Sequence, residues 1–298
     1  MTLPLARKCI ACIFYGDMLC ALRNQVAPYE NEKGAADRMV DRWVARLGRA
    51  LLAGKGFTSR EMKHTFPLIA KEFATIPSPG AKVKVGVVGE IYVKYSPLGN
   101  NELQKFLESQ DCEVNFPGLM GFVQYCAFNM GEDHVLYGGK LAVKVGTDQF
   151  LNWLDSVERV MLKAETDAGF YAPGPFKELV ESPRGSSRWA QNGRRLAADR
   201  RNDRAGAGRL RQHRLCPALR LPAQPYRGQG HGEQDPCAVP QRQHHPHRLR
   251  PSATRVNQEN RIKLMLAVAK ERLNAPAEAQ PLTAEQLAGG APQVGATV

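Results

Sequence analysis

The 65 residues from Ser186 to Arg250 constrain this chain more than any motif does, because they contain no Ile, Phe, Met or Lys and only one valine, Val239. Arg, Gln, Pro, His and Gly dominate instead, and 14 arginines against 4 acidic side chains give the stretch a charge of +10. Neither a helix period nor a strand period fits such text. It also has too little apolar surface to offset the entropy of ordering its backbone. The segment is expected to be disordered or misfolded, so the fold must come from its flanks.

Those flanks are nearly neutral. Of the net charge of +12, only +2 belongs to the other 233 residues, where 27 basic side chains accompany 25 acidic ones. A basic chain invites a nucleic-acid reading. Here the excess sits in a segment whose only aromatics are Trp189 and Tyr226, which disfavours nucleic acid as a partner. A native basic linker and an RNA-binding insert remain the alternatives for this stretch. With 43% hydrophobic residues over 298 positions, a sizeable core can be buried. The longest apolar runs, such as Val85-Gly86-Val87-Val88, fall far short of the ~20 residues that span a bilayer. The start lacks the ordered regions of an export signal, so a cytoplasmic protein without a membrane partner is expected.

Seven cysteines, an odd number irregularly spaced, fit reduced thiols or ligands better than a disulfide framework. Cys9 and Cys12 form a CxxC, for which incidental, redox and metal-binding roles stay open. Tetrahedral zinc would need two further ligands that the neighbouring sequence does not offer. Cys126 reads as either a core thiol or a ligand.

Periodicity organises the rest. Met39, Val40, Trp43, Val44, Leu47 and Leu51 recur at helical spacing over residues 35–52, and Met62, Phe66, Ile69 and Phe73 do so over 59–73 behind a Ser59 cap. Residues 1–76 thus read as an N-terminal helical part, closed by the Pro77-Ser78-Pro79-Gly80 linker. The valines of residues 81–90 predict a buried parallel strand ending at Gly89. Asn100 caps a following helix that carries Leu103, Phe106 and Leu107, and residues 112–116 predict a second strand. Strand, helix and strand make a βαβ unit. The fold class expected is therefore α/β, a partial doubly wound (Rossmann-like) parallel-sheet module over residues 81–185 with added helices at 117–129 and 148–164. The module regains its terminal helix at 251–273, with Ile262, Leu264, Met265, Leu266 and Val268 inward, before a flexible tail at 274–298. Ligands in such folds sit beyond the strands' C-terminal ends, which puts Gly89, Glu90 and Tyr95 at a candidate site mouth. No GxGxxG is present.

The run VKVGVVGEIYVKYSPLGNNELQKFLESQDCEVNFPGLMGFVQYCAFN, residues 83–129, closely resembles a family of proteins related to 2-hydroxyacyl-CoA dehydratases and their activators. Phe14-Tyr15-Gly16-Asp17 and Pro28-Tyr29-Glu30 look like the same family, as does VNQENRIKLMLAVAKERL, residues 256–273. The resemblance covers about 185 residues before the aperiodic segment and about 20 after it. In a full-length relative the intervening region holds a GEGW-like glycine turn, a QPFACLPNH-like turn and an acidic DYDP-like turn. None is encoded here.

Codon degeneracy supplies an account. Read one base late from Trp189 onward, WAQNGRRL (189–196) can become GHKTGEGW, PALRLPAQPYRGQG (217–230) can become QPFACLPNHIVGKG, and VPQRQHHPHRLR (239–250) can become YPNANITPIDYD. The matches keep one constant frame and the family's order, and meet the in-frame text near Pro251. A compensated pair of frameshifts is the expectation, with the +10 charge as its by-product.

The resemblance implies dehydration of a 2-hydroxyacyl-CoA with electrons from a cysteine-ligated iron–sulfur cluster, and a dehydratase or activator subunit as partner. It implies site-lining roles for Glu90, Tyr95 and Asn100, and makes Cys9, Cys12, Cys20 and Cys126 the candidate [4Fe–4S] ligands. The cysteine of the QPFACLPNH-like turn falls on Leu221 and its histidine on Pro225, while the GEGW-like turn, suited to phosphate or CoA, falls on Gly193-Arg194-Arg195-Leu196. The chain as encoded is thus expected to be inactive, with a noncatalytic electron-transfer or assembly partner as the alternative function, and to bind no cluster if those ligands do not converge.

Overall fold

The computed structural model describes residues 2–77, 80, 82–88, 91–138, 140–181, 218–220 and 255–274. The disorder expected for 186–250, apart from residues 218–220, and the tail beyond 274 lie outside the described residues, as do Gly89 and Glu90. The observed class is a mostly helical α/β fold with a small parallel sheet.

The N-terminal helices are α1 (Leu3–Val26), α2 (Ala35–Leu52) and α3 (Ser59–Phe73). Helices α2 and α3 have the bounds that their apolar stripes predict. Thr58, rather than Ser59, caps α3, in a reciprocal box with Glu61. The helix continues through Pro67 without dividing. After β1 (Val83–Val88), three short helices, α4 (Ile91–Tyr95), α5 (Pro97–Asn100) and α6 (Leu103–Ser109), lead to β2 (Cys112–Asn115). A long hairpin follows, α7 (Met120–Tyr137) and α8 (Leu141–Asp167), and then α9 (Phe176–Glu181). Residues Ala218–Arg220 form β3, and Arg255–Asn274 form α10.

Among the described residues two large hydrophobic cores form, with a small third cluster around Tyr125 and Phe176. Leu154, Val157, Met161 and Leu162 of α8, with Met120 of α7, bury against Phe14, Met18 and Leu22 of α1, Trp43 of α2, and Phe66 and Phe73 of α3. The α7–α8 hairpin therefore completes the N-terminal helical layer instead of covering the sheet. In the second core, Val83, Val85, Val87, Cys112 and Val114 from the strands meet Leu103 and Leu107 of α6 and Ile262, Met265, Leu266 and Ala269 of α10. Leu264, expected inward, is 69% exposed.

β1 is central, pairing in parallel with β2 on one side and β3 on the other. The register Val83↔Cys112 and Val85↔Val114 puts these apolar residues on one face, and Lys84↔Glu113 and Gly86↔Asn115 on the other. That second face is polar. Glu113, only 4% exposed, accepts from Lys84 Nζ at 2.9 Å and from the Tyr29 hydroxyl at 2.7 Å, tying the end of α1 to the sheet. Burial, and then the bond to Glu113, push the Tyr29 phenol up. Lys82 bonds the Pro28 carbonyl and pairs with Asp111, and Arg23 bridges Asp37 of α2 and Glu108 of α6. No helix among the described residues is long and apolar enough to cross a membrane.

Candidate functional site

Within the motif that reads as a site mouth, the described side chains of α4 reach the loop after β2. The Tyr95 hydroxyl and Lys94 Nζ both donate to the Pro117 carbonyl, each at 2.8 Å. The Tyr95 ring stacks on Phe116 with centroids 6.2 Å apart, and Lys94 Nζ lies 4.6 Å from its centroid. Lys94 is 4% exposed, a position that a lysine tolerates only with its ammonium engaged.

Asn100, 8% exposed, spends its whole amide locally. Its Nδ2 donates to the carbonyls of Val93 (3.0 Å) and Lys94 (2.9 Å), and its Oδ1 accepts from the Leu103 amide at 3.2 Å. Glu102, not Asn100, occupies the N-cap position of α6 and makes no side-chain cap bond, while Asn100, at the end of α5, still bonds the helix's first amide and ties α4 to α6. Tyr95 and Asn100 hold one joint together, between α4, α6 and the loop that follows β2. Glu90 lies outside the described residues.

A second constellation joins the Phe-Tyr-Gly-Asp motif to the hairpin. Asp17 projects from α1 onto the start of α7, where its carboxylate accepts from the amides of Leu119 (2.8 Å) and Met120 (2.7 Å). This satisfies two of the free N–H groups of that helix. Gly118 is required by the approach, since a Cβ there would stand 2.4 Å from Asp17 Oδ2.

Glu165 of α8 is 1% exposed, and neither carboxyl oxygen has a hydrogen-bond partner among the described residues. Burial, and then the charge of Asp17, push it up to about 8, so it is carried as the neutral acid at neutral pH. Farther along the same helix pair, Glu158 accepts from Gln124 Nε2 at 2.8 Å and from the Phe176 amide at 3.1 Å, and burial raises its carboxyl too. These acids are enclosed by packed helices. They are pH-sensitive structural groups.

The cysteine expectation needs correction. Cys9, Cys12 and Cys20 are exposed along one continuous helix, α1, and Cys126 is exposed on α7. Cys9 and Cys20 are about 16 Å apart along a helix axis, too far to converge on one cluster. Among the described residues no three His, Cys, Asp or Glu side chains come together to hold a metal ion. The iron–sulfur and metal-binding reading of these cysteines is therefore overturned. Cys112 is buried in β2, and that burial pushes its thiol up to about 11.

Glu158 and Glu165 were not singled out in the sequence, and Asp17 and Lys94 stood there only as members of family-like runs, with no role of their own. Glu165 had a readable signal: Leu154, Val157 and Met161 set an inward stripe on which 164 and 165 fall next, and an acid on an apolar stripe is exceptional. Asp17 had none, because its partner amides are about 100 residues away. No family model, no curated protein and no solved structure matches the chain.

Proposed function

We propose that the chain is a noncatalytic subunit related to the 2-hydroxyacyl-CoA dehydratases and their activators, whose site-forming middle portion is encoded out of frame. One observation carries the noncatalytic part of the reading: the residues of the family-like motifs serve as joints. Asp17 holds the start of α7. Tyr29 bonds the buried Glu113, and Glu30 accepts from the amides of Gly34 and Ala36 at the start of α2. Tyr95 and Asn100 fasten α4 to α6 and to the loop after β2. Side chains engaged in this way position a scaffold and leave acid, base and ligand chemistry to other residues.

The parallel β1–β2 pair and its helical crossover support the fuller doubly wound sheet as the fold of an in-frame relative. The docking of α10 on β1 supports a chain that returns to its reading frame near Pro251, because text after the segment fills the same core as text before it. The partner that this subunit would meet is a dehydratase or activator subunit.

The test compares the encoded chain with one recoded a base later over residues 189–250. The encoded chain is expected to form no 2-enoyl product from a 2-hydroxyacyl-CoA and to give no binding heat with the thioester, whereas the recoded chain binds it. Turnover by the encoded chain, or a recoded chain that binds no better, would overturn the proposal.

A further inference from the structure

Helix α1 is packed unevenly along its length. Its first buried residue is Ala11, and the turns before it are outward or half-covered, with Leu3 65% and Leu5 50% exposed. The N-cap residue, Thr2, makes no side-chain bond to the helix, and the first turn has no acidic side chain to complement the free N–H groups. Arg7 and Lys8 follow instead, and Lys8 Nζ, 5.6 Å from the Phe57 ring centroid, is a weak tether. These turns therefore open more easily than the packed remainder. Opening them as far as Cys9 makes Cys9 the N-cap of the shortened helix and Cys12 its third residue, where free backbone N–H groups stabilise an anion.

Both thiols are exposed. Positions three apart on a helix have Cα atoms about 5 Å apart, inside the roughly 4.4–6.8 Å that a disulfide spans. Burial, and then the neighbouring Cys9, push the Cys12 thiol up while α1 is closed, so the resolving thiolate forms more readily once these turns open.

We propose that Cys9 and Cys12 form a redox site, a dithiol that reduces low-molecular-weight disulfides and closes to a disulfide as the first turns of α1 open. The Cys9 thiolate attacks one sulfur of the small disulfide, whose S–S bond breaks and releases one thiolate. The Cys12 thiolate then attacks the Cys9 sulfur of the mixed disulfide and releases the second. Two electrons pass from the protein to the small disulfide. The two protons given up by the cysteines end on the two small thiols.

The full chain is equilibrated in mixtures of reduced and oxidised glutathione, quenched in acid, alkylated and digested with trypsin, which releases residues 9–23 as one peptide containing Cys9, Cys12 and Cys20. The expected product lacks two hydrogens and carries one alkyl group, on Cys20. The Cys12→Ser variant should stop at a glutathione adduct on Cys9. Ala6→Gly, which weakens the first turns, should speed closure about fivefold. Full alkylation of all three cysteines at every glutathione ratio, a bridge through Cys20, or no acceleration in Ala6→Gly would each overturn the proposal.

Discussion

Replacing Glu165 by Gln removes one ionisable carboxyl from the interior of the helical layer while keeping its size. In the folded protein this acid loses its proton near pH 8, against an ordinary 4.5 in an unfolded chain. At about 1.4 kcal/mol for each factor of ten in proton affinity, the difference corresponds to about 5 kcal/mol. The side chain is 1% exposed, so solvent screens little of this. Between these two values the folded state holds a proton that the unfolded state has released. Stability from this group is therefore complete below pH ~4.5 and is lost as pH rises through ~8. Urea unfolding followed by circular dichroism at pH 5.5 and pH 8.5, on both proteins, isolates the effect, because other titrating groups cancel in the comparison. The wild-type protein should lose several kcal/mol more than Glu165→Gln over this interval. Equal losses in the two proteins would refute the assignment of Glu165 as a buried neutral acid.

Three other substitutions probe the joints. Gly118→Ala should destabilise by about 1–3 kcal/mol through collision with Asp17, and less so when combined with Asp17→Ala; strict additivity in urea unfolding would show that the contact is not the cause. Asn100→Ala removes three hydrogen bonds, to the Val93 and Lys94 carbonyls and from the Leu103 amide, and should cost about 2–3 kcal/mol, leaving the thioester affinity of the recoded chain unchanged. Weakened affinity at unchanged thermal midpoint would instead place Asn100 in a binding site. Glu113→Ala takes the carboxylate away from the Lys84 ammonium, whose side chain is only 15% exposed, and should cost about 3–5 kcal/mol, whereas a change below the error of a denaturation curve would contradict the buried pair.

The parts of the fold that are legible in the sequence share one property: each buries a single stripe. Helices α2 and α3 alternate apolar and charged residues at helical spacing, so their ends are readable to the residue. Strand β1 is readable from Val83, Val85 and Val87, because β-branched residues on one face describe a half-buried strand. Helix α1 also buries a stripe, Ala11, Phe14, Tyr15, Met18 and Leu22, but small and apolar residues on its other faces hide that stripe in the sequence. The placement of α8 with α1 and α3 was equally hidden, since an apolar stripe does not say which neighbour will cover it. The engagement of the expected site residues was hidden for a related reason. Tyr95 and Asn100 were expected to line or support a site, and what the structure adds is the set of backbone carbonyls and amides that their side chains reach. Cysteine count likewise carries no geometry, and a straight helix spreads Cys9, Cys12 and Cys20 too widely for a shared cluster.

The central claim is that an out-of-frame passage interrupts an otherwise continuous module, and the coding nucleotides test it most directly. Re-sequencing the gene across codons 186–251 should show, one base over from the encoded frame, GEGW-, QPFACLPNH- and DYD-like codons in that order. Uninterrupted reads with none of these codons in the shifted frame would contradict it.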